Sequence, residues 1–109
     1  MKLIEKSWGN EVWWADTELY LAKFLTIRPN MATSLHVHGE KDEIMYVQEG
    51  NAVILGEDDK PLHESPLLVG ADTIRILPGT PHRICAGEYG VTIIEVSTPH
   101  PEDSVRIRE

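Results

Sequence analysis

The sequence predicts an all-β domain of the sandwich or barrel class. Three observations lead there. Short runs rich in Val, Ile, Leu and Thr recur along the chain. Clusters of Gly, Pro, Asn and Asp punctuate them, as many short strands joined by turns require. And no window shows the period of an amphipathic helix, an internal repeat or low complexity.

In chain order, residues 1–18 read as an arm carrying Trp8, Trp13 and Trp14. On a strand, Trp13 and Trp14 face opposite sides. One could enter the core while the other covers a partner subunit, or both could pack on their own barrel. Residues 19–28 form a β-type run in which Leu21, Lys23, Leu25 and Ile27 share one face. Tyr20, Ala22, Phe24 and Thr26 share the other, so the strand is expected to be covered on both sides. Pro29-Asn30 closes it. After residues 35–50, the turn Glu49-Gly50-Asn51 leads to a strand over 51–56, and 57–61 is a charged surface turn. His63 follows in a polar context and is expected in solvent. Runs at 67–70 and 72–77 precede a Pro/Gly turn, and 91–97 is the last strong strand. Thr98-Pro99-His100-Pro101 breaks it, and residues 102–109 read as a charged tail.

The chemistry concentrates in residues 35–50, LHVHGEKDEIMYVQEG. Alternate side chains of a strand share a face, so His36 and His38 project together while Leu35 and Val37 point away. The polar stretch 39–42 reads as a hairpin turn. Glu43 opens the next strand with the parity of Met45 and Val47, while Ile44 and Tyr46 take the other face. Folding that strand back brings Glu43 opposite the two histidines. Further on, Leu77-Pro78-Gly79-Thr80-Pro81-His82 is a stiff turn that presents a third imidazole. Neutral imidazoles and a carboxylate converging on one point hold a divalent metal. Four ligands, His36, His38, Glu43 and His82, leave two positions of a six-coordinate ion open, and open positions mark a working site. The nitrogen-rich set suits Zn, Fe, Mn, Ni or Cu better than Mg or Ca.

These residues resemble the cupin family. Its first motif, G-x5-H-x-H-x3,4-E-x6-G, is matched from His36 through His38 and Glu43 to Gly50, with Asn30 at the leading Gly. Its second, G-x5-P-x-G-x2-H-x3-N, is matched at Gly79 and His82, with Ala86 at the Asn. The resemblance implies a single cupin domain over 1–109, a small jelly-roll barrel with the metal inside. The flanks around Trp8-Gly9, Tyr20-Leu21-Ala22-Lys23, Pro81-His82-Arg83-Ile84, residues 94–99 and 102–106 are similar to the mannose-6-phosphate isomerase type of cupin. That implies interconversion of an aldose and a ketose phosphate through an enediol. Glu95 is then the candidate base, with Tyr46 and Lys23 behind it. Arg75 and Arg83 are candidates for binding a phosphate, or are solvated surface cations. Cys85 reads as a small buried hydrophobe rather than a nucleophile.

Two other classes remain open. One is a quercetinase-like, metal-dependent dioxygenase. The other is a non-catalytic small-molecule binding module. The formal net charge of −8 argues against nucleic acid and against an anionic membrane surface as partners. No apolar run is long enough to span a bilayer, and residues 1–5 lack a signal-peptide pattern. A single cysteine excludes an internal disulfide, so the cytoplasm is the expected setting. A homodimer is expected, because the two-faced run at 19–27 carries more apolar surface than one barrel needs.

Overall fold

The computed structural model of the chain describes residues 1–100 and 103–109. Among these residues there are nine β-strands and no helix. They are β1 (Lys2–Lys6), β2 (Gly9–Asp16), β3 (Leu21–Ile27), β4 (Leu35–His38), β5 (Glu43–Leu55), β6 (Leu68–Val69), β7 (Thr73–Ile76), β8 (Arg83–Ser97) and β9 (Ser104–Arg108). One sheet runs β1-β2-β3-β8-β5-β6, with β7 also paired to β5. A second sheet pairs β4 with β9. All pairings are antiparallel.

Period-2 alternation places the side chains as the sequence pattern requires. Leu21, Lys23, Leu25 and Ile27 of β3 are buried. Glu43, Met45 and Val47 of β5 point inward, while Ile44 and Tyr46 are 47% and 40% exposed. Leu25, Ile27, Met45, Val47, Ile54, Ile84 and Ile93 form the centre of the apolar core. Leu25, Met45 and Ile84 of this core also border a cavity lined by polar residues.

Strands β5 and β8 differ from expectation. The residues read as a turn at 49–51 lie inside one continuous strand of 13 residues. The turn-forming glycine makes a bulge instead: the register slips between Val47 and Glu49 and between Gly50 and Ala52. Gly50 has φ of 82°, and a Cβ there would stand 2.1 Å from the carbonyl oxygen of Gly90. The two strands thus pass closer than any side chain allows. β8 also starts earlier than the run at 91–97 indicates, because its first half pairs with the second half of β5.

Residues 1–18 are the β1-β2 hairpin, added to the edge of β3. Trp13 is half-buried, with Lys2 and Lys23 ammonium groups 4.6 and 4.5 Å from its ring centre. Trp14 lies on the outer face, its ring 5.8 Å from that of Phe24. Of the segment read as a tail, Glu102 lies outside the described residues, as does Pro101 before it. Ser104–Arg108 is strand β9. Val105 and Ile107 alternate there with polar residues, a strand pattern masked by the charge around it. His63 is half-buried rather than in solvent: its Nε2 accepts the Ile54 amide at 3.1 Å. No helix among the described residues is long and apolar enough to cross a membrane.

Candidate metal centre

Three elements bring the four candidate ligands together. β4 brings His36 and His38, the start of β5 brings Glu43, and the turn before β8 brings His82. The backbones of His36 and His82 exchange hydrogen bonds of 3.0 and 2.9 Å, which sets their rings side by side. The Pro/Gly turn is tied to β4 as well, since the Gly79 amide donates to the His38 carbonyl at 2.7 Å. Gly79 takes φ of 81°, and Asn30, standing at the motif's leading glycine, takes φ of 59°. Asn is among the few non-glycine residues that accept this conformation readily, so the substitution keeps the backbone path.

The ring nitrogens of His36, His38 and His82 all lie within 4.8 Å of one another. Nitrogens bound 2.0–2.1 Å from one ion sit roughly 3.0–3.4 Å apart, so small side-chain shifts close the set. Each Nδ1 is already committed. That of His36 donates to the Ser34 carbonyl at 2.9 Å, that of His82 to the Thr80 carbonyl at 2.9 Å, and that of His38 to the Asp103 carboxylate at 2.8 Å. A carbonyl can only accept, so the hydrogen sits on Nδ1 and the Nε2 lone pair is left for a metal. Glu43 completes the group: its carboxylate oxygens stand 3.5 Å from His38 Nε2 and 3.7 Å from His82 Nε2. Among the described residues, His82 Nε2 and Glu43 Oε1 are buried without a hydrogen-bond partner. Orphaned buried lone pairs carry a penalty unless something electropositive meets them. The donor set fits a divalent transition ion.

The protonation states agree. Burial, with His82 alongside, brings His36 from its ordinary value down to about 4. Burial brings His82 down to about 4 as well. Burial and then the Lys41 charge lower His38. All three are therefore neutral at pH 7, as ligands must be. Burial, and then the charge of Glu95, push Glu43 up to about 7.

Beside the histidines runs a buried row of alternating charge. The Lys41 ammonium stands 2.6 Å from Glu95 and 3.4 Å from Glu43, and all three side chains are nearly inaccessible. Lys23, beside Glu95 in the β3–β8 register, pairs with Glu11 at 3.2 Å. Burial alone would raise Glu95, but Lys41 and then Lys23 outweigh it and hold the carboxyl below its ordinary value. Burial alone would lower Lys41, but Glu95 and then Glu43 outweigh it and raise the ammonium. At neutral pH Glu95 is thus a carboxylate and Lys41 an ammonium. The row lines a cavity of about 850 Å³, which Trp13, His36, Arg83 and Arg106 also border. Exposed residues such as Lys6 and Arg106 on its wall show that it reaches the surface.

Of the residues singled out in the sequence, Glu95 and Lys23 face this cavity, and Arg83 borders it with Nε donating to the Thr33 carbonyl. Tyr46 and Arg75 do not reach it. Tyr46 has the parity opposite to Glu43 and projects from the outer face. Arg75 is held outside by Asp42, through bonds of 3.0 and 2.6 Å. Burial pushes the Cys85 thiol up, in keeping with an inert role. Sequence reasoning missed Lys41, read as part of a polar hairpin turn, and Asp103, read as tail. The signal for Lys41 was its place between two ligands, and Asp103 left no local signal.

No family model and no curated protein matches the chain. Solved structures do. KdgF from Halomonas sp. superposes with a TM-score of 0.78 at 20% identity, over 94% of this chain and 90% of that one. A Klebsiella pneumoniae protein with a double-stranded β-helix domain gives 0.77 at 16% identity, over 99% and 86%. A sugar phosphate isomerase from the cupin superfamily, from Silicibacter pomeroyi, gives 0.70 at 19% identity, over 84% and 60%. At such identities the likeness establishes the fold, a cupin double-stranded β-helix.

Proposed function

We propose that this protein is a metal-dependent isomerase or epimerase of a small sugar or sugar phosphate, of the mannose-6-phosphate isomerase type. The observation that carries it is the pairing of a three-histidine, one-glutamate donor set with the buried Lys41–Glu95 ion pair on one cavity wall. His36, His38, His82 and Glu43 would hold the ion. When bound, it supplies Lewis acidity that polarises a carbonyl and its neighbouring hydroxyl. The chain's own groups then do the rest. An aldose–ketose exchange moves one proton between adjacent carbons and one between their oxygens. The Glu95 carboxylate accepts the carbon proton, and the Lys41 ammonium offers a proton to the oxygen. Arg83, at the cavity wall, anchors an anionic group on the sugar. The net charge of −8 repels such a group only at long range, since screening confines the field to about 8–10 Å. A solved cupin described as a sugar phosphate isomerase shares the fold and supports the reading.

Metal content is tested first. Elemental analysis of protein purified without a tag is expected to give about one transition ion per chain, and His36→Ala combined with His82→Ala to remove it. Full content in that double variant overturns the ligand assignment. Activity is tested by NMR in heavy water with mannose 6-phosphate and related aldose phosphates. Conversion is expected with solvent deuterium entering at C1 of the ketose product, slowed about 10²–10⁴-fold by Glu95→Gln. No conversion, with oxygen consumed on a phenolic substrate, replaces this reading with a dioxygenase.

A further inference from the structure

We propose that Asp103 is the positioning residue for the ligand His38, and that through it metal loading and the docking of β9 form one coupled equilibrium. The inference rests on the metal reading above and concerns a residue outside the ligand set. One carboxylate makes three hydrogen bonds. Oδ1 accepts from His38 Nδ1 at 2.8 Å, and Oδ2 accepts from the amides of Glu40 and Lys41 at 2.9 Å each. The same group thus fixes a ligand ring and the turn that sends Lys41 into the cavity.

Asp103 also stands immediately before β9, which pairs with β4 alone. The register sets Ser104 against His38, Val105 against Val37 and Arg106 against His36. Every residue of β9 is exposed, so the strand brings no side chain to the core and depends on its ladder, on Asp103 and on the Arg108 bonds to Asp59 and the Glu57 carbonyl. The contrast with the other ligands carries the argument. His36 and His82 are aimed by carbonyls two residues away, whereas the partner of His38 lies 65 residues along the chain. A ligand aimed from a strand that lies outside the core links the two events. If β9 docking favours the metal-binding rotamer of His38, metal must favour β9 docking by the same factor. A histidine's carboxylate partner is generally worth 10–100-fold in metal affinity.

The test uses the full chain and Co²⁺ or Zn²⁺. Asp103→Ala is expected to weaken binding about 10–100-fold, with Asp103→Asn between it and the parent. Arg108→Ala separates the two links: it cuts the bonds of β9 to Asp59 at 2.8 Å and to the Glu57 carbonyl at 3.2 Å but leaves Asp103 beside His38, and is expected to weaken binding by less than Asp103→Ala does. Hydrogen exchange gives the second readout. Metal should slow exchange of the β9 amides in the parent and leave it unchanged in Asp103→Ala. Equal affinity in parent and Asp103→Ala, or β9 amides indifferent to metal in the parent, overturns the proposal. A parent chain that binds neither ion overturns the metal reading itself, and this proposal with it.

Discussion

Replacing Lys41 with Met removes the cation that stands between Glu43 and Glu95 while keeping a long unbranched side chain in place. Lys41 is 2% exposed, Glu43 2% and Glu95 4%. Taking one partner from a buried ion pair leaves an uncompensated charge and costs about 3–5 kcal/mol. The surface offers an internal comparison. The Arg75–Asp42 pair is also 2.6 Å long, but Arg75 is 59% exposed. Breaking an exposed pair costs about 0–1 kcal/mol. The assay is urea unfolding of chelator-treated protein for Lys41→Met and Arg75→Met. The buried variant is expected to lose about 3–5 kcal/mol, on the order of 12–20 °C in melting temperature. The pH dependence has a definite sign. Without Lys41 the folded-state pKa values of Glu43 and Glu95 move further up or lose their depression. The folded chain then binds more protons than the unfolded one above about pH 4.5, so the deficit grows as pH rises. The loss should be larger at pH 8 than at pH 5. Equal losses in the two variants, or a loss that does not change with pH, would refute the reasoning.

Gly50 and Gly79 share a φ near 80°, but a Cβ at Gly50 meets a carbonyl at 2.1 Å while one at Gly79 meets nothing within 4 Å. Gly79→Ala is expected to cost about 1 kcal/mol and Gly50→Ala about 3 kcal/mol or more, and equal costs in denaturant melts would contradict the crossing geometry. For metal-stripped protein, His36 and His82, both depressed to about 4, each bind fewer protons folded than unfolded between about pH 4 and 6.5. Stability is therefore lost as pH falls through that window, about 3 kcal/mol for each histidine. Glu43, raised to about 7, acts in the opposite sense and cancels roughly one of them, so a net fall of about 3 kcal/mol is expected by calorimetry. Stability that is flat or rises on acidification contradicts it. Finally, Ile44, Val96 and Trp14 expose an apolar outer face at 47%, 48% and 44%, with Ile44 and Val96 adjacent in register. A two-fold homodimer through this face is expected in sedimentation, and Val96→Glu should dissociate it. A concentration-independent monomer rules it out.

Much of the inner face was readable in the sequence, because strand parity is local. The alternation from Glu43 to Val47 says which residues point inward, and the fixed spacing of His36, His38 and Glu43 says that three donors share a face. The same alternation turned Tyr46 outward, and its outer-face position was legible from parity alone. The position of Arg75 could not, since it depends on a pairing of β7 with β5 that only the folded sheet reveals. Lys41 was hidden for a related reason. Turn composition says only that the backbone reverses, and burial of an ammonium is decided by Glu95, far along the chain. Gly50 was recognised as a backbone signal, but a positive φ serves a bulge as well as a turn.

The three histidines differ in how exposed their alignment is to mutation. His36 and His82 are oriented by main-chain oxygens of Ser34 and Thr80, atoms that every amino acid possesses. Replacing either neighbour leaves its acceptor where it was. His38 is oriented by a side chain, so one codon change at Asp103 can alter its basicity or its angle while every ligand stays in place. Variation in metal preference within this architecture should therefore collect at position 103, and the positions before the other two histidines should tolerate replacement with little effect on the ion held.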